Sequence, residues 1–234
     1  MKIVGSTVLI TGSNRGIGHA LARAAVARGA AKVYAGARNP DTIDLDGVTP
    51  LRVDITDPQS VAAAASIASD ADIVINNAGV STFSDLVTGD LDAIRLEMET
   101  QFFGTLSMVR AFAPVLKSNG GGAIVNILSA LSWFSYKGAN AYAASKAAAW
   151  SLTNGVRLEL AGQGTTVTGV FLGAADTDMT KGYDGPTLPA SAVADAALDG
   201  LEANKIEVLV DEWSADIKAS LAQDPRKFYG AQLA

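Results

Sequence analysis

Seven short apolar runs, rich in β-branched residues, alternate with longer Ala-rich segments of helical period, and this alternation limits the fold more than any other feature. The runs cover residues 7–10, 32–35, 50–53, 72–75, 123–128, 165–171 and 206–210. The helical segments cover 16–28, 58–68, 91–118, 140–161 and 189–203. Strands that are apolar on both faces and separated by helices predict a parallel sheet with right-handed crossovers. The expected fold is α/β: one doubly wound domain spanning residues 1–234, with a seven-stranded parallel sheet and helices on both faces. No internal repeat or linker divides it.

Two stretches break the alternation. Residues 38–49 are polar and too short for a full helix, so a loop or a single turn is expected in place of one crossover helix. Residues 173–188 hold four Gly or Pro residues and no clear period. They follow the carboxyl end of a strand, where such sheets bind ligands. Residues 174–188 therefore read either as a substrate lid or as an ordinary surface loop. The tail, residues 211–234, sets Trp213, Phe228 and Tyr229 on an otherwise polar segment, where they cover a subunit contact or finish the core.

The formal net charge of −6 argues against a general affinity for nucleic acid or anionic membranes. A few placed Arg side chains can still bind a small anion on an acidic protein. The chain has no cysteine, which removes disulfides, thiolate metal sites and a Cys nucleophile and agrees with a cytoplasmic protein. No signal peptide is read ahead of the first strand, and no apolar stretch reaches the length of a membrane span. The single histidine, His19, cannot build a His metal site or a Ser-His-Asp triad, so no metal is expected.

Residues 8–18, VLITGSNRGIG, read as a strand, a glycine turn and a helix start. Gly12 permits a tight turn, Gly16 lets the backbone approach a pyrophosphate, and Gly18 lets the helix pack closely on the strand. With Ser13, Asn14, Arg15 and Ile17, they present a helix N-terminus to phosphates. At the opening of the first βαβ unit, this turn points to a Rossmann-type domain and a dinucleotide. An NAD site carries an acidic residue about 20 residues further on, where it accepts the ribose hydroxyls. Ala37 stands there instead, Arg38 follows it, and Arg15 is a second cation nearby. A carboxylate repels a 2′-phosphate and a guanidinium fork holds it, so NADP(H) is expected ahead of NAD(H). The alternative leaves Arg38 in solvent and folds Asp41 or Asp44 onto the ribose. Asp54, followed by Ile55, ends the third strand in reach of the adenine amino group. Asn77-Ala78-Gly79 ends the fourth, where small residues let a ribose lie against the backbone. Each of these two also reads as a plain turn.

Tyr142 and Lys146 are four apart in a helical segment, so both project from one face, and Ser129 closes the strand before it. A free phenol, with a pKa of about 10, is a poor acid/base partner near neutrality. The Lys146 ammonium, beside Tyr142 and the oxidised nicotinamide, is expected to stabilise the phenolate and lower that value. Tyr142 then protonates a carbonyl oxygen as hydride arrives, or deprotonates an alcohol in reverse. Ser129 steadies the substrate oxygen, and Lys146 also holds the nicotinamide ribose. The hydride chemistry belongs to the cofactor.

TGSNRGIG, NNAG, Ser129 and Tyr142-x-x-x-Lys146, in this order, resemble a short-chain dehydrogenase/reductase over residues 7–179. The resemblance implies NAD(P)(H) binding, Ser-Tyr-Lys catalysis at a carbonyl or alcohol carbon, and a cytosolic homotetramer or homodimer. It extends the cofactor contacts to Gly173, Ala175 and Thr177. Two departures accompany it. The family's Asn, which holds a helix distortion and a water that relays protons to the Lys, is replaced by Gln101 in Gln101-Phe102-Phe103-Gly104. Carrying the same amide on a longer arm, Gln101 is a candidate fourth catalytic member. The family's Pro-Gly after the sixth strand is Leu172-Gly173, which frees the backbone there.

Ala130, Leu131, Trp133, Phe134, Ala139, Met179 and Tyr183 are expected to border the substrate. They are mostly apolar, and no placed cation beyond the lysine suggests a carboxylate or phosphate clamp. A small to medium apolar aldehyde or ketone is therefore expected, although Trp133 and Phe134 read equally as core or interface. Two rival functions stand beside this one: an NAD-dependent alcohol or sugar dehydrogenase, and a dinucleotide-binding regulator without turnover, which Gln101 alone favours.

Overall fold

In the computed structural model, which describes residues 1–233, apolar side chains on both faces of each central strand force helices onto both sides of the sheet. The strands are β1 (Thr7–Thr11), β2 (Lys32–Ala37), β3 (Thr49–Arg52), β4 (Ile73–Asn76), β5 (Gly122–Ile127), β6 (Thr165–Phe171) and β7 (Glu207–Leu209). All pair in parallel, in the order β3-β2-β1-β4-β5-β6-β7. Val8, Ile10, Ile73, Ile75 and Val125 point to one layer, built from α1 (Gly16–Ala27) and α6 (Ala190–Glu202). Leu9, Val74 and Ile124 point to the other, built from α2 (Pro58–Ile67), α4 (Thr105–Ser118) and α5 (Asn140–Leu160). The chain winds outward from β1 to β3 and then returns to lay β4 against the other side of β1. That reversal opens a crevice above the carboxyl ends of β1 and β4.

The long periodic segment forms one rod with a change of winding. α3 (Leu91–Met98) passes into a π-helical turn, Glu99–Gly104, before α4 begins. Such turns insert an extra residue and re-aim the side chains around them. The polar segment 38–49 contains a single 3₁₀ turn, Pro40–Thr42, capped by the Asn39 side chain, as expected for a missing crossover helix. The tail folds into α7 (Glu212–Ser220) and α8 (Pro225–Leu233), with Asp211 capping α7. Among the described residues, no helix is long and apolar enough to cross a membrane.

A buried polar chain fixes α5 against the sheet. Asn76 Nδ2 donates to Asn126 Oδ1 at 2.8 Å, Asn126 Nδ2 donates to Thr153 Oγ1 at 2.9 Å, and Thr153 Oγ1 donates to Ala149 O at 2.7 Å. Removing the middle member strands a buried donor on β4 and a hydroxyl on α5. Asn126→Leu is expected to cost about 2–4 kcal/mol, measured by urea unfolding followed by circular dichroism.

Candidate active site

At the end of β1 the backbone turns back on itself. Gly12 and Gly16 take φ of +69° and +55°, in the region that favours glycine. A Cβ on Gly18 would lie 2.0 Å from Gly12 O and 2.5 Å from Asn77 Nδ2, so this helix start admits no side chain there. Ser13 ties the turn to its neighbours: its hydroxyl donates to Ile10 O and its N–H to Gly36 O. From β4, Asn77 Nδ2 donates to Thr11 O and Gly12 O at 3.0 and 3.2 Å, while Thr11 Oγ1 accepts from Asn77 N and Ala78 N. α1 begins after extended Arg15 with no side-chain cap and no acid in its first turn. Its first N–H groups therefore face the crevice with an uncompensated partial positive charge, flanked by Asn14 and Ile17.

The end of β2 differs from the turn in charge. Ala37 is buried and Arg38 is exposed, without an ion pair among the described residues. Asp41 and Asp44 are exposed on the following segment, and Asp41 donates its N–H to Asn39. Arg15, in contrast, pairs with Asp178 at 3.3 Å, and Asp178 also meets Lys181 at 2.5 Å. These cations, Lys181 foremost, hold the Asp178 carboxyl below its ordinary range. Asp54 Oδ1 accepts from Thr56 N and Oγ1 and so shapes the turn into α2, beside buried Ile55.

Residues 174–188 leave and rejoin the fold through a hydrogen-bonded neck. Asp176 N donates to Leu188 O, and Leu188 N donates to Ala174 O. Thr177 packs on the glycine turn, with its methyl 3.1 Å from where a Gly16 Cβ would sit, and Ala175 is buried beneath. Gly173 N donates to Asp211 Oδ2 at 2.7 Å, and the Trp213 indole lies over Gly173. Met179 and Tyr183 are exposed, and the Tyr183 ring folds over Gly185.

Ser129 stands just past β5, and Lys146 reaches the end of that strand from α5. Ser129 Oγ caps the 3₁₀ turn Ala130–Ser132, accepting from Leu131 N at 3.1 Å and donating to Leu172 O at 3.4 Å. Lys146 Nζ donates to Ile127 O at 2.9 Å and lies 5.5 Å from the centroid of the Tyr142 ring. Burial pushes Lys146 down to about 8. The Tyr142 phenol moves the other way, pushed up first by burial and then by the charge of Glu97. Among the chain's own groups, low-dielectric surroundings and then a buried carboxylate raise the phenol, so the lowering expected from the lysine with the oxidised nicotinamide does not come from the lysine alone.

Three expected substrate contacts are corrected. Ala130, Trp133 and Phe134 are buried in an aromatic core rather than set at the crevice. Trp133 stacks on Phe171 at 4.2 Å, and Phe134 stacks on Tyr229 at 5.1 Å and meets Phe228 edge-on. The tail aromatics Phe228 and Tyr229 therefore finish the core. Leu131 and Ala139 are half-buried near Ser129 and the start of α5. Gln101, in the π turn, donates its Nε2 to Val80 O at 2.9 Å and packs on Gly79, gripping the segment after β4. Sequence reasoning passed over Glu97 and read Trp213 only as a core or interface aromatic, not as a neighbour of Gly173. For Glu97 the available signal was an acid one helical turn before Gln101.

Comparison with known proteins bears on this arrangement. The family model described as short chain dehydrogenase matches residues 6–185. An uncharacterized oxidoreductase of Staphylococcus aureus N315 is 31% identical over 207 residues, covering 82% of this chain and 89% of the relative. One from Schizosaccharomyces pombe is 34% identical over 167 residues, 68% of this chain, and the match spans 57% of the length of that relative. A crystal structure of a short chain dehydrogenase from Burkholderia cenocepacia J2315, in complex with NADP, superposes with a TM-score of 0.95 at 40% identity, covering all of both chains.

A lysine whose folded value lies below its unfolded one destabilises the fold wherever it must be protonated. For Lys146 the cost is fully present below pH 8 and is relieved between about 8 and 10.5. Lys146→Met is therefore expected to raise unfolding free energy at pH 6–7 by about 3 kcal/mol. The gain should fade by pH 10.5, as read from denaturant midpoints across pH.

Proposed function

This chain belongs to the short-chain dehydrogenase family, and on that premise we propose that it moves a hydride between NADP(H) and a carbonyl or secondary alcohol. Its preferred reaction is reduction of a small to medium apolar ketone or aldehyde. The observation that carries this reading is that Lys146, 5.5 Å from the Tyr142 ring centroid, reaches Ile127 O at the end of β5, two residues before Ser129, in a fold whose glycine turn admits no Cβ at Gly18.

The residues present fit a dinucleotide. The turn from Gly12 to Gly18, with Asn77, Ala78 and Gly79, would hold the pyrophosphate and ribose. Asp54 and Ile55 would meet the adenine, and Gly173, Ala175 and Thr177 would meet the nicotinamide side. Exposed Arg38 next to buried Ala37 favours a 2′-phosphate over a bare ribose. The Burkholderia relative, 40% identical over its whole length, is described in complex with NADP. When bound, the nicotinamide supplies or accepts the hydride.

The chain's own groups manage the proton. Tyr142, held protonated across neutral pH, donates its phenolic proton to the carbonyl oxygen as negative charge develops there. Ser129 exchanges its long bond to Leu172 O for the substrate oxygen. Lys146, largely an ammonium at pH 7, stabilises the phenolate left behind. Gln101 acts by holding Val80 rather than by touching the reacting atoms. Leu131, Ala139, Met179 and Trp213 supply the apolar surround, and residues 174–188 act as its lid. A cytoplasmic homodimer or homotetramer completes the reading.

NADPH and NADH oxidation against a panel of carbonyl compounds tests it, with Tyr142→Phe alongside wild type. Turnover with NADPH and a fall of about 10³ in kcat for the variant are expected. Undiminished turnover in Tyr142→Phe would remove the acid assignment, and cofactor binding without any turnover would favour a regulator. Arg38→Asp is expected to shift preference toward NADH by at least about 10-fold in kcat/KM. An unchanged ratio would assign the 2′-phosphate to another group.

A further inference from the structure

Resting on the reading of Ser129 as the group that steadies the substrate oxygen, we infer that Asp211 is a positioning residue that sets Ser129 through the single peptide joining Leu172 to Gly173. That peptide is held from both sides. Its carbonyl, Leu172 O, accepts from Ala130 N at 2.9 Å and from Ser129 Oγ at 3.4 Å. Its N–H, on Gly173, donates to Asp211 Oδ2 at 2.7 Å. A trans peptide points its C=O and N–H in opposite directions, so a carboxylate on the N–H fixes where the carbonyl faces. It also polarises the peptide and so strengthens the Ala130 bond that holds the backbone beside Ser129. Neither Leu172 nor Gly173 fixes its own backbone, and a flip of their peptide would remove all three bonds.

The carboxylate has two tasks. Its other oxygen, Oδ1, accepts from Ser214 N at 2.6 Å and caps α7. Only a side chain with two acceptor oxygens meets both N–H groups. An amide of the same shape would set its NH2 against one of them, and a hydroxyl satisfies one alone. A helix cap by itself is served by Ser, Thr or Asn, so the carboxylate is matched to the second bond. The helix it caps rests on the turn that follows Ser129. Ile217 of α7 joins Trp133 and Phe171 in the aromatic core, and α7 packs on Ala130–Ser132. Trp213, also on α7, closes over Gly173, where a Cβ would lie 3.2 Å from its ring. β7 and α7 thus reach Ser129 through one peptide. Just beyond Gly173, Ala174 O accepts from Leu188 N, so the same clamp seats the neck of residues 174–188.

Acetophenone reduction with NADPH tests this in a double-mutant cycle of wild type, Asp211→Ser, Ser129→Ala and the pair. Ser keeps the α7 cap but cannot also reach Gly173 N. Asp211→Ser alone is expected to lower kcat about 10-fold with its unfolding midpoint near wild type. Asp211→Ala, which loses the cap as well, should lower both. Added to Ser129→Ala, Asp211→Ser is expected to cost less than about 2-fold, because the group it positions is gone. A wild-type kcat in Asp211→Ser, or losses that multiply in the pair, overturns the inference. Full turnover in Ser129→Ala overturns the reading of Ser129, and the inference falls with it. Amide hydrogen exchange at Gly173 gives a readout free of substrate and cofactor. That amide should be protected in wild type and exchange at least about 10-fold faster in Asp211→Ser, with the β6 amides unchanged. An unchanged rate in the folded variant overturns the inference, and so does an unprotected Gly173 amide in wild type, even if no variant folds.

Discussion

Covering a parallel sheet on both faces leaves its central strands no room for chemistry. Val8, Leu9, Ile10, Ile73, Val74, Ile75, Ile124 and Val125 are all fully buried, so polar groups gather only where these strands run out. Thr11, Asn76, Asn126 and Ser129 are such strand-end residues, and each is buried yet hydrogen-bonded. The crevice at the reversal between β1 and β4 therefore inherits a hydrogen-bonded polar rim, in which Asn76 Oδ1 is left without a protein partner. The same bonds that satisfy buried groups also aim them: Asn77 closes the glycine turn, and the Asn126 chain seats the helix that carries Tyr142 and Lys146. Stability and site geometry here have one source.

Burial also decides the electrostatics. In water, a lysine four residues from a tyrosine would lower the phenol; inside this fold both groups lose solvation, and the two shifts draw each toward its neutral form. A neutral phenol beside a lysine that is still mostly charged at pH 7 suits proton donation. Glu97, the second cause of the raised phenol after burial, belongs to α3, which packs on α5, and not to the helix that carries Tyr142.

These relations explain what could be read from the residues alone. The layers, the seven parallel strands of a doubly wound sheet and the glycine turn were legible because they follow from periodicity and from positions only glycine can occupy. The shared face of Tyr142 and Lys146, and the position of Ser129 at a strand end, were legible because an i,i+4 pair and a strand end have little freedom. Trp133 and Phe134 misled because an aromatic after a strand end can face the crevice or the core, and the choice depends on Phe228 and Tyr229, nearly a hundred residues on. Helices α7 and α8 were read as a polar tail since their apolar positions are few and serve a small separate core. The direction of the Tyr142 shift follows first from the burial of the phenol and then from Glu97, tertiary facts that spacing does not encode.

Arg15 and Arg38 look alike in the sequence, both near the expected phosphate, yet the fold gives them different company. Arg15 bridges from the glycine turn to Asp178 at the foot of residues 174–188, while Arg38 stands exposed at the end of β2. The Arg15–Asp178 pair is solvent-exposed on both sides, so its strength is small and a doubly charged phosphate competes with it readily. On the function proposed above, Arg15 would be a tie that an incoming anion loosens. Discrimination between the two nicotinamide cofactors would fall to Arg38, which has no ion pair among the described residues, and to the missing carboxylate at Ala37.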